Sequence, residues 1–454
     1  MSKKDPPQQI IVRRNNPQFR LAAAAGFATL AALWHFHPDW FAARLHTPYP
    51  QAIILQHYEH SLTLMPFLLL ATALAFAIVA VAQYATARRP LTQTPIPALS
   101  PLAENVLLSG LLLLGLWLSW RHWQMWGRPV WDDYWKAGQV WHIALTSNDA
   151  QAWPLVQKFL HEYPHSPSPL TPWVIALLMF VVAQPVLWLQ VLNAAATAGS
   201  VIVLQRLSKR LAPGVPFWFV GALFLLNAAT MRNGWFIQLD AINGFFVLLF
   251  FHFWLRWRES PSPARLAALV VWLALCALQK TTLFPLMAVP TLVEAVGQVR
   301  EKKLVVVRLL SAALWTAVVP AAVFVAYCLA FGIFANFGTQ VQLMGSGWNE
   351  LDFSFKRFVF AGGFLLGPYL PLMWRNRKIL EPAYLGPALY VALFFLSMIV
   401  VRGPFWGRYY SHIVGCCVLL SLPALMLPAR RLPLMAYLVA VALVQLTMIG
   451  LHLF

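Results

Sequence analysis

Charge is scarce in this chain: Asp, Glu, Lys and Arg make up 11% of its 454 residues, less than half their share of an ordinary soluble domain. With 60% of residues apolar, too little polar surface is left to cover a core of that size, which excludes a water-soluble enzyme of usual construction. Acids are the scarcer sign, 15 against 33 basic residues. The basic excess does not mark a nucleic-acid surface, because the Lys and Arg residues fall in short clusters between apolar segments. Cysteine is rare too. Cys276, Cys328, Cys416 and Cys417 all lie inside apolar stretches without metal-ligand or disulfide-framework spacing, which excludes a stapled secreted fold. Repeats and low-complexity tracts are missing apart from the Pro-rich connector from Pro90 to Pro101. No convincing cleavage site follows the first apolar segment, so the basic arm (Lys3, Lys4, Arg13, Arg14, Arg20) reads as the cytoplasmic flank of a retained anchor.

What is present is a series of apolar runs near bilayer length. They fall at 21–36, 61–83, 104–120, 186–206, 215–232, 241–257, 264–279, 282–297, 304–332, 357–374, 380–401, 411–427 and 433–453. This predicts an all-α polytopic membrane bundle of about thirteen spans. With the N-terminus in the cytoplasm, alternation puts Arg88/Arg89, Lys209/Arg210, Arg256/Arg258, Arg300/Lys302/Lys303, Arg375/Arg377/Lys378 and Arg430/Arg431 all on the cytoplasmic side. The run 170–182 is left out of the count, since a span there would move the later basic clusters outside. Pro172, Gln184 and Pro185 also suit a half-buried helix at the outer face better. Residues 121–185 then form one large outer loop. Within it, apolar positions at helical spacing from Tyr134 to Ala144 and from Trp153 to Tyr163 predict two amphipathic helices on the membrane surface. Trp120, Trp123, Trp126, Trp131, Trp135, Trp141 and Trp153 fit an interfacial aromatic belt, with anchoring favoured over sugar stacking for most.

Asp132 and Asp133 stand side by side in that loop, just past the outer end of a span. Carboxylates at the hydrocarbon boundary are costly to bury, so they are hydrated, paired or functional. One of them also suffices to cap the helix starting at Tyr134, and a rigidly held, ionised Asp is suited to act as a base. Other outer-side residues supply what such a base needs. Asp240 opens a span, Lys280 closes one, and Arg402 and Arg408 precede Tyr409. Cations at outer helix ends run against the usual charge bias, and an anionic ligand accounts for them. His165, at the loop exit, is a candidate to orient substrate or hold a metal; a lone His without a companion at ligand spacing is more often a surface hydrogen-bonding residue.

Taken in order, these elements resemble the GT-C superfamily of membrane glycosyltransferases, particularly the aminoarabinose transferase and protein O-mannosyltransferase type. The likeness rests on the acidic pair with its aromatics (Asp132, Asp133, Tyr134, Trp135), the element from His165 to Leu170, the acid Asp240, the outer Lys280 and the Arg408–Tyr409 pair, and it covers residues 104–430. It departs from the pattern in having two spans, within 1–103, before the acid-bearing unit, and Thr281 where a Gly is usual. A C-terminal helix, 431–454, closes the chain. The resemblance implies an inverting transferase that moves a sugar from a polyprenyl-phosphate donor to a lipid, glycan or protein hydroxyl, at the outer face of a bacterial inner membrane. It implies Asp132 or Asp133 as the base and Lys280, Arg402, Arg408 and Tyr409 at the donor phosphate. Asp240, His165, Tyr134 and Trp135 would contact substrate, Asp240 through sugar hydroxyls or a cation. No cofactor is required by these residues, and a divalent metal stays an alternative. A lipid-linked glycan flippase or a glycan polymerase is the rival reading.

Overall fold

The computed structural model describes residues 17–45, 52–87, 96–127, 170–182, 184–236, 239–280, 283–300, 306–330, 362–374, 381–400, 410–427 and 431–453. Those residues are helical, with no strand among them. Helices α1 (Pro17–Phe36), α2 (Pro38–Leu45) and α3 (Ala52–Ala87) come first. After them α4 (Pro101–His122) continues into a π turn, Trp123–Gly127. Ser100 starts α4 as an N-cap, its hydroxyl accepting from Ala103 N at 3.2 Å, with Pro101 at the position where a missing N–H costs nothing.

The central part contains α5 (Leu170–Leu178), α6 (Pro185–Leu211), α7 (Phe217–Leu225), α8 (Ala228–Asn233), α9 (Asp240–Glu259), α10 (Pro263–Gln279), α11 (Leu283–Arg300) and α12 (Val306–Ala330). The last part contains α13 (Gly363–Leu366), α14 (Leu370–Trp374), α15 (Pro382–Val400), α16 (Ser411–Leu425) and α17 (Arg431–Gly450). Among the described residues, five segments are long and apolar enough to cross a membrane: Pro17–Phe36, Glu59–Thr86, Pro101–Met125, Val186–Leu211 and Leu432–Gly450. The expected two amphipathic loop helices lie outside the described residues.

Several of the remaining apolar runs are shorter, interrupted or diluted by polar residues. Helix α5 has nine residues, a rise of about 14 Å, less than half of a hydrocarbon core. The run expected as one span over 215–232 is two helices, α7 and α8, broken at Leu226–Asn227. Asn227 caps α8 by accepting from Ala229 N at 3.0 Å. Helix α9, with 20 residues, rises about 30 Å but carries Asp240, Asn243 and His252, which dilute its apolarity. All three are buried inside the protein.

Helix α16 is the centre of the bundle: every residue from Ser411 to Leu425 is buried. It packs closely on α9, because both helices present glycine at the crossing. A Cβ at Gly244 would lie 2.7 Å from the Ser411 carbonyl oxygen, and one at Gly415 would lie 2.6 Å from the Leu248 side chain. Helix α9 in turn packs along α6 and α10. The N-terminal helices are not a loose appendage. Helix α3 packs along both α1 and α17, and Ala31, Trp34, Leu62 and Met65 join the main apolar core. His60 Nε2 lies 3.0 Å from the Leu451 carbonyl, closing α3 onto the end of α17.

Candidate functional site

Of the residues singled out in the sequence, Asp240 and Lys280 belong to the described part. Asp132, Asp133, Tyr134, Trp135, His165, Arg402, Arg408 and Tyr409 lie outside it. Asp240 is the first residue of α9, where a carboxylate complements the free amides and positive end of the helix. It is 4% exposed, and its Oδ1 lies 2.9 Å from His412 Nε2 in the first turn of α16. Ser411 Oγ donates to the Asp240 carbonyl at 3.0 Å, fastening the same two helix starts through the backbone. Asp240 thus has a fixed side-chain partner.

One turn along α9, Asn243 continues the cluster. Its Oδ1 accepts from Gln279 Nε2 at 3.0 Å, and Gln279 Oε1 accepts from Thr171 Oγ1 at 2.7 Å. Asn243, Gln279 and Thr171 are all buried. Gln279 ends α10, and Lys280 follows it as the C-cap in extended conformation, half-buried. Lys280 N donates to Cys276 O, and its carbonyl accepts from Leu283 N at 2.8 Å, so the backbone that presents the ammonium is held on both sides. The network therefore joins the starts of α5, α9 and α16 to the end of α10.

Beside this network is a cavity of about 500 Å³ between α4, α6 and the turn before α9. Trp117, Trp120, Trp123 and Trp235 supply aromatic wall, and Gln124 and Gln190 supply the amides. Trp235 is placed by Ser119 of α4, whose hydroxyl donates to the Arg232 carbonyl at 2.5 Å and accepts from Trp235 N at 2.8 Å. Asn193 Nδ2 donates to the Phe236 carbonyl at 2.7 Å, holding the same turn from α6. The cavity wall and the start of α9 share one apolar cluster, in which Trp123, Leu189 and Phe236 pack with Ile242, and Val186 and Leu239 border it. Trp120 and Trp123, expected as interfacial anchors, line this cavity, and Trp120 remains 43% exposed.

His412, Gln279, Asn243 and Thr171 were not indicated by the sequence reading. The signal available was a polar residue next to, or one turn from, an already suspicious charge at a span end: Gln279 before Lys280, Asn243 after Asp240. His412 carried no such signal, because its partner is 172 positions away. Among the described residues, no three His, Cys, Asp or Glu side chains gather as a metal would need. The four cysteines are free and buried.

Among the described residues, this combination is an α-helical protein with helices long and apolar enough to cross a membrane, and with a buried polar network beside an aromatic-walled cavity. No family model matches the chain, and neither the curated proteins nor the solved structures contain a significant match to it.

Proposed function

We propose that the protein is an inverting glycosyltransferase of GT-C type, acting at the outer face of a bacterial inner membrane on a polyprenyl-phosphate-linked sugar. The observation that carries this reading is the pair Asp240–His412 with the Asn243–Gln279–Thr171 network, whose Gln279 immediately precedes Lys280, beside an aromatic cavity. The described residues that flank the other motifs belong to the same end of the bundle: Trp123 before Asp132, Thr171 after His165, and Ser411 after Arg408 and Tyr409. On this reading the shorter helices also cross the bilayer, packed inside the bundle, for about thirteen crossings with the N-terminus cytoplasmic.

In the reaction, the acceptor hydroxyl oxygen attacks the anomeric carbon as Asp132 or Asp133 takes its proton. A glycosidic bond forms, and the bond from the anomeric carbon to the phosphate oxygen breaks on the opposite side. The leaving polyprenyl phosphate gains negative charge, which Lys280, Arg402 and Arg408 stabilise, with Tyr409 beside them, where surrounding lipid lowers the dielectric. Tyr134, Trp135 and His165 line the substrate. Because His412 holds one of its oxygens, Asp240 acts in this scheme mainly as a positioning residue, keeping the starts of α9 and α16 together under the donor headgroup. The isoprenoid tail stays among the helices.

The test replaces Asp132 and Asp133 singly by Asn in membranes supplied with a labelled polyprenyl-phosphate sugar. One variant is expected to lose transfer by about 10²- to 10⁴-fold, the contribution of a positioned base. Full activity in both variants overturns the base assignment. A labelled product without a new glycosidic bond overturns the transferase reading in favour of translocation.

A further inference from the structure

Where α17 ends, three histidines from three segments meet. His60 of α3 donates from Nε2 to the Leu451 carbonyl at 3.0 Å. The next residue, His452, holds its ring 5.6 Å from that of His122 in the last turn of α4, with the ring planes 36° apart. His122 is fully buried, and its ring also lies 5.6 Å from that of Phe236, which follows the cavity-lining Trp235. The seam thus fastens α3, α4 and the end of α17 together beside the aromatic cavity.

The backbone at His452 sets this helix end apart. Leu453 N donates to the Met448 carbonyl at 2.9 Å and His452 N to the Ile449 carbonyl at 3.1 Å, the two bonds of a Schellman ending. That ending places one residue in the left-handed region, a position that glycine usually fills. His452 occupies it with φ 55°, the one positive φ at a non-glycine position among the described residues. A side chain held there at a steric cost needs a compensating contact, and the ring packed on His122 supplies it.

The charges closest to this seam are positive. Arg121, next to His122 on α4, lies over the Trp117 ring at 5.7 Å, and Arg232 lies over the Phe236 ring at 5.6 Å. Glu59, next to His60 on α3, is exposed to solvent, and α17 carries no titratable side chain after Tyr437. His452 stands two residues past Gly450, where the membrane-crossing segment ends. Burial, and then the charges of Arg121 and His60, hold its ring below the ordinary histidine value. The neutral ring is therefore the form that fits the closed seam. If the turn leaves, the ring returns to water and to a value of about 6.5. The open form then takes up a proton that the closed form does not, so closure is favoured above about pH 6.5 and is lost as pH falls below it. Protonation of His60 keeps its bond to Leu451 and adds a second cation beside His452.

We propose that His452 is the sensor of an acid-sensitive latch: docked on His60 and His122 when neutral, it draws the turn after α17 away from α3 and α4 when protonated. Opening removes one support of the Trp235 side of the cavity. On the topology proposed above the latch faces outward, where pH follows the surroundings, and its operation does not depend on which reaction the cavity serves.

The full chain, purified in detergent, is spin-labelled through Thr63→Cys, exposed on α3, and Gly450→Cys, where a Cβ meets open space; the four native cysteines are buried. Double electron–electron resonance reads the distance between the two labels from about pH 8 down to about pH 5. One distance is expected at the upper end, and a second, longer one below about pH 6.5, the ratio of long to short rising by up to about tenfold per pH unit. His452→Asn tolerates the left-handed conformation and carries no titratable ring, so it is expected to keep the short distance throughout. His35→Gln, exposed at the end of α1 and outside the seam, is expected to respond as wild type does. Unfolding midpoints at the upper pH report that the bundle is intact in each variant. A single distance in wild type across the whole range, a wild-type response in His452→Asn, or an equal loss of response in His35→Gln overturns the latch.

Discussion

Two buried polar clusters in this bundle use similar side chains for different ends. At the break between α7 and α8, Asn227 Nδ2 donates to Leu365 O at 2.8 Å and Gln445 Nε2 donates to Phe364 O at 2.6 Å, while Gln445 Oε1 accepts from Ala228 N at 2.9 Å. All of these bonds go to backbone, and they satisfy groups that the interruptions in α7–α8 and around α13 leave out of the helical ladder. The cluster around Asp240 is built the other way. Asp240 with His412, Asn243 with Gln279 and Gln279 with Thr171 are side chain to side chain, a minority kind of bond in folded proteins. The first cluster repairs the backbone; the second fixes side-chain positions beside a cavity. A broken helix also marks substrate sites in transporters, where freed backbone groups face the cargo. Here side chains of the protein itself occupy them, which favours the transferase reading.

The sharpest way to break this comparison is to cut the Asp240–His412 pair. Asp240→Asn removes the carboxylate that faces buried His412, and leaving a buried polar group without its partner costs about 1–3 kcal/mol of stability, more where the pair is ionised. The double replacement Asp240→Asn with His412→Asn is expected to recover a large part of that loss, measured as the midpoint of chemical unfolding in detergent. If the single and double variants unfold alike, the pair is not a coupled unit. Next in size is Lys280→Ala. Removing a donor aimed at developing charge is expected to lower transfer by about 10²- to 10³-fold with the unfolding midpoint unchanged. An equal loss of stability would make Lys280 part of the scaffold. The backbone-repair cluster should behave in the opposite sense: Asn227→Ala or Gln445→Ala is expected to cost about 1–3 kcal/mol of stability, with transfer per folded molecule preserved.

The comparison also shows what the chain discloses before it is folded. Two helix starts follow a local pattern that the hydropathy reading did not use: Ser100 and Ser262 cap α4 and α10, and the first residue of each helix is proline. The apolar runs behind α6, α9, α10, α16 and α17 matched helices because hydropathy is a property of consecutive residues. The break at Asn227 was not legible. It depends on Gln445, more than two hundred positions away, and hydropathy averages over one amide in an apolar run. In the candidate site, Asp240 and Lys280 stood out as charges at span ends. Their buried neighbours Asn243, Gln279 and His412 did not, since a polar residue in a helix reveals its role only through its partner.

The smallest effect discriminates between two uses of tryptophan. Trp120 borders the cavity and is 43% exposed, whereas Trp315 of α12 is 50% exposed and lines no part of it. If aromatic rings here serve only to anchor helices at the interface, replacing either by Leu has the same slight consequence. If the cavity receives substrate, Trp120→Leu removes a ring face that sugar or isoprenoid packs against, worth about 0.5–1.5 kcal/mol and so a two- to tenfold rise in KM. That contact is made equally by bound substrate and transition state, so kcat should stay constant while KM moves. Trp315→Leu should change neither. Equal KM values for the two variants would return Trp120 to the interfacial belt and leave the polar network without an adjoining substrate chamber.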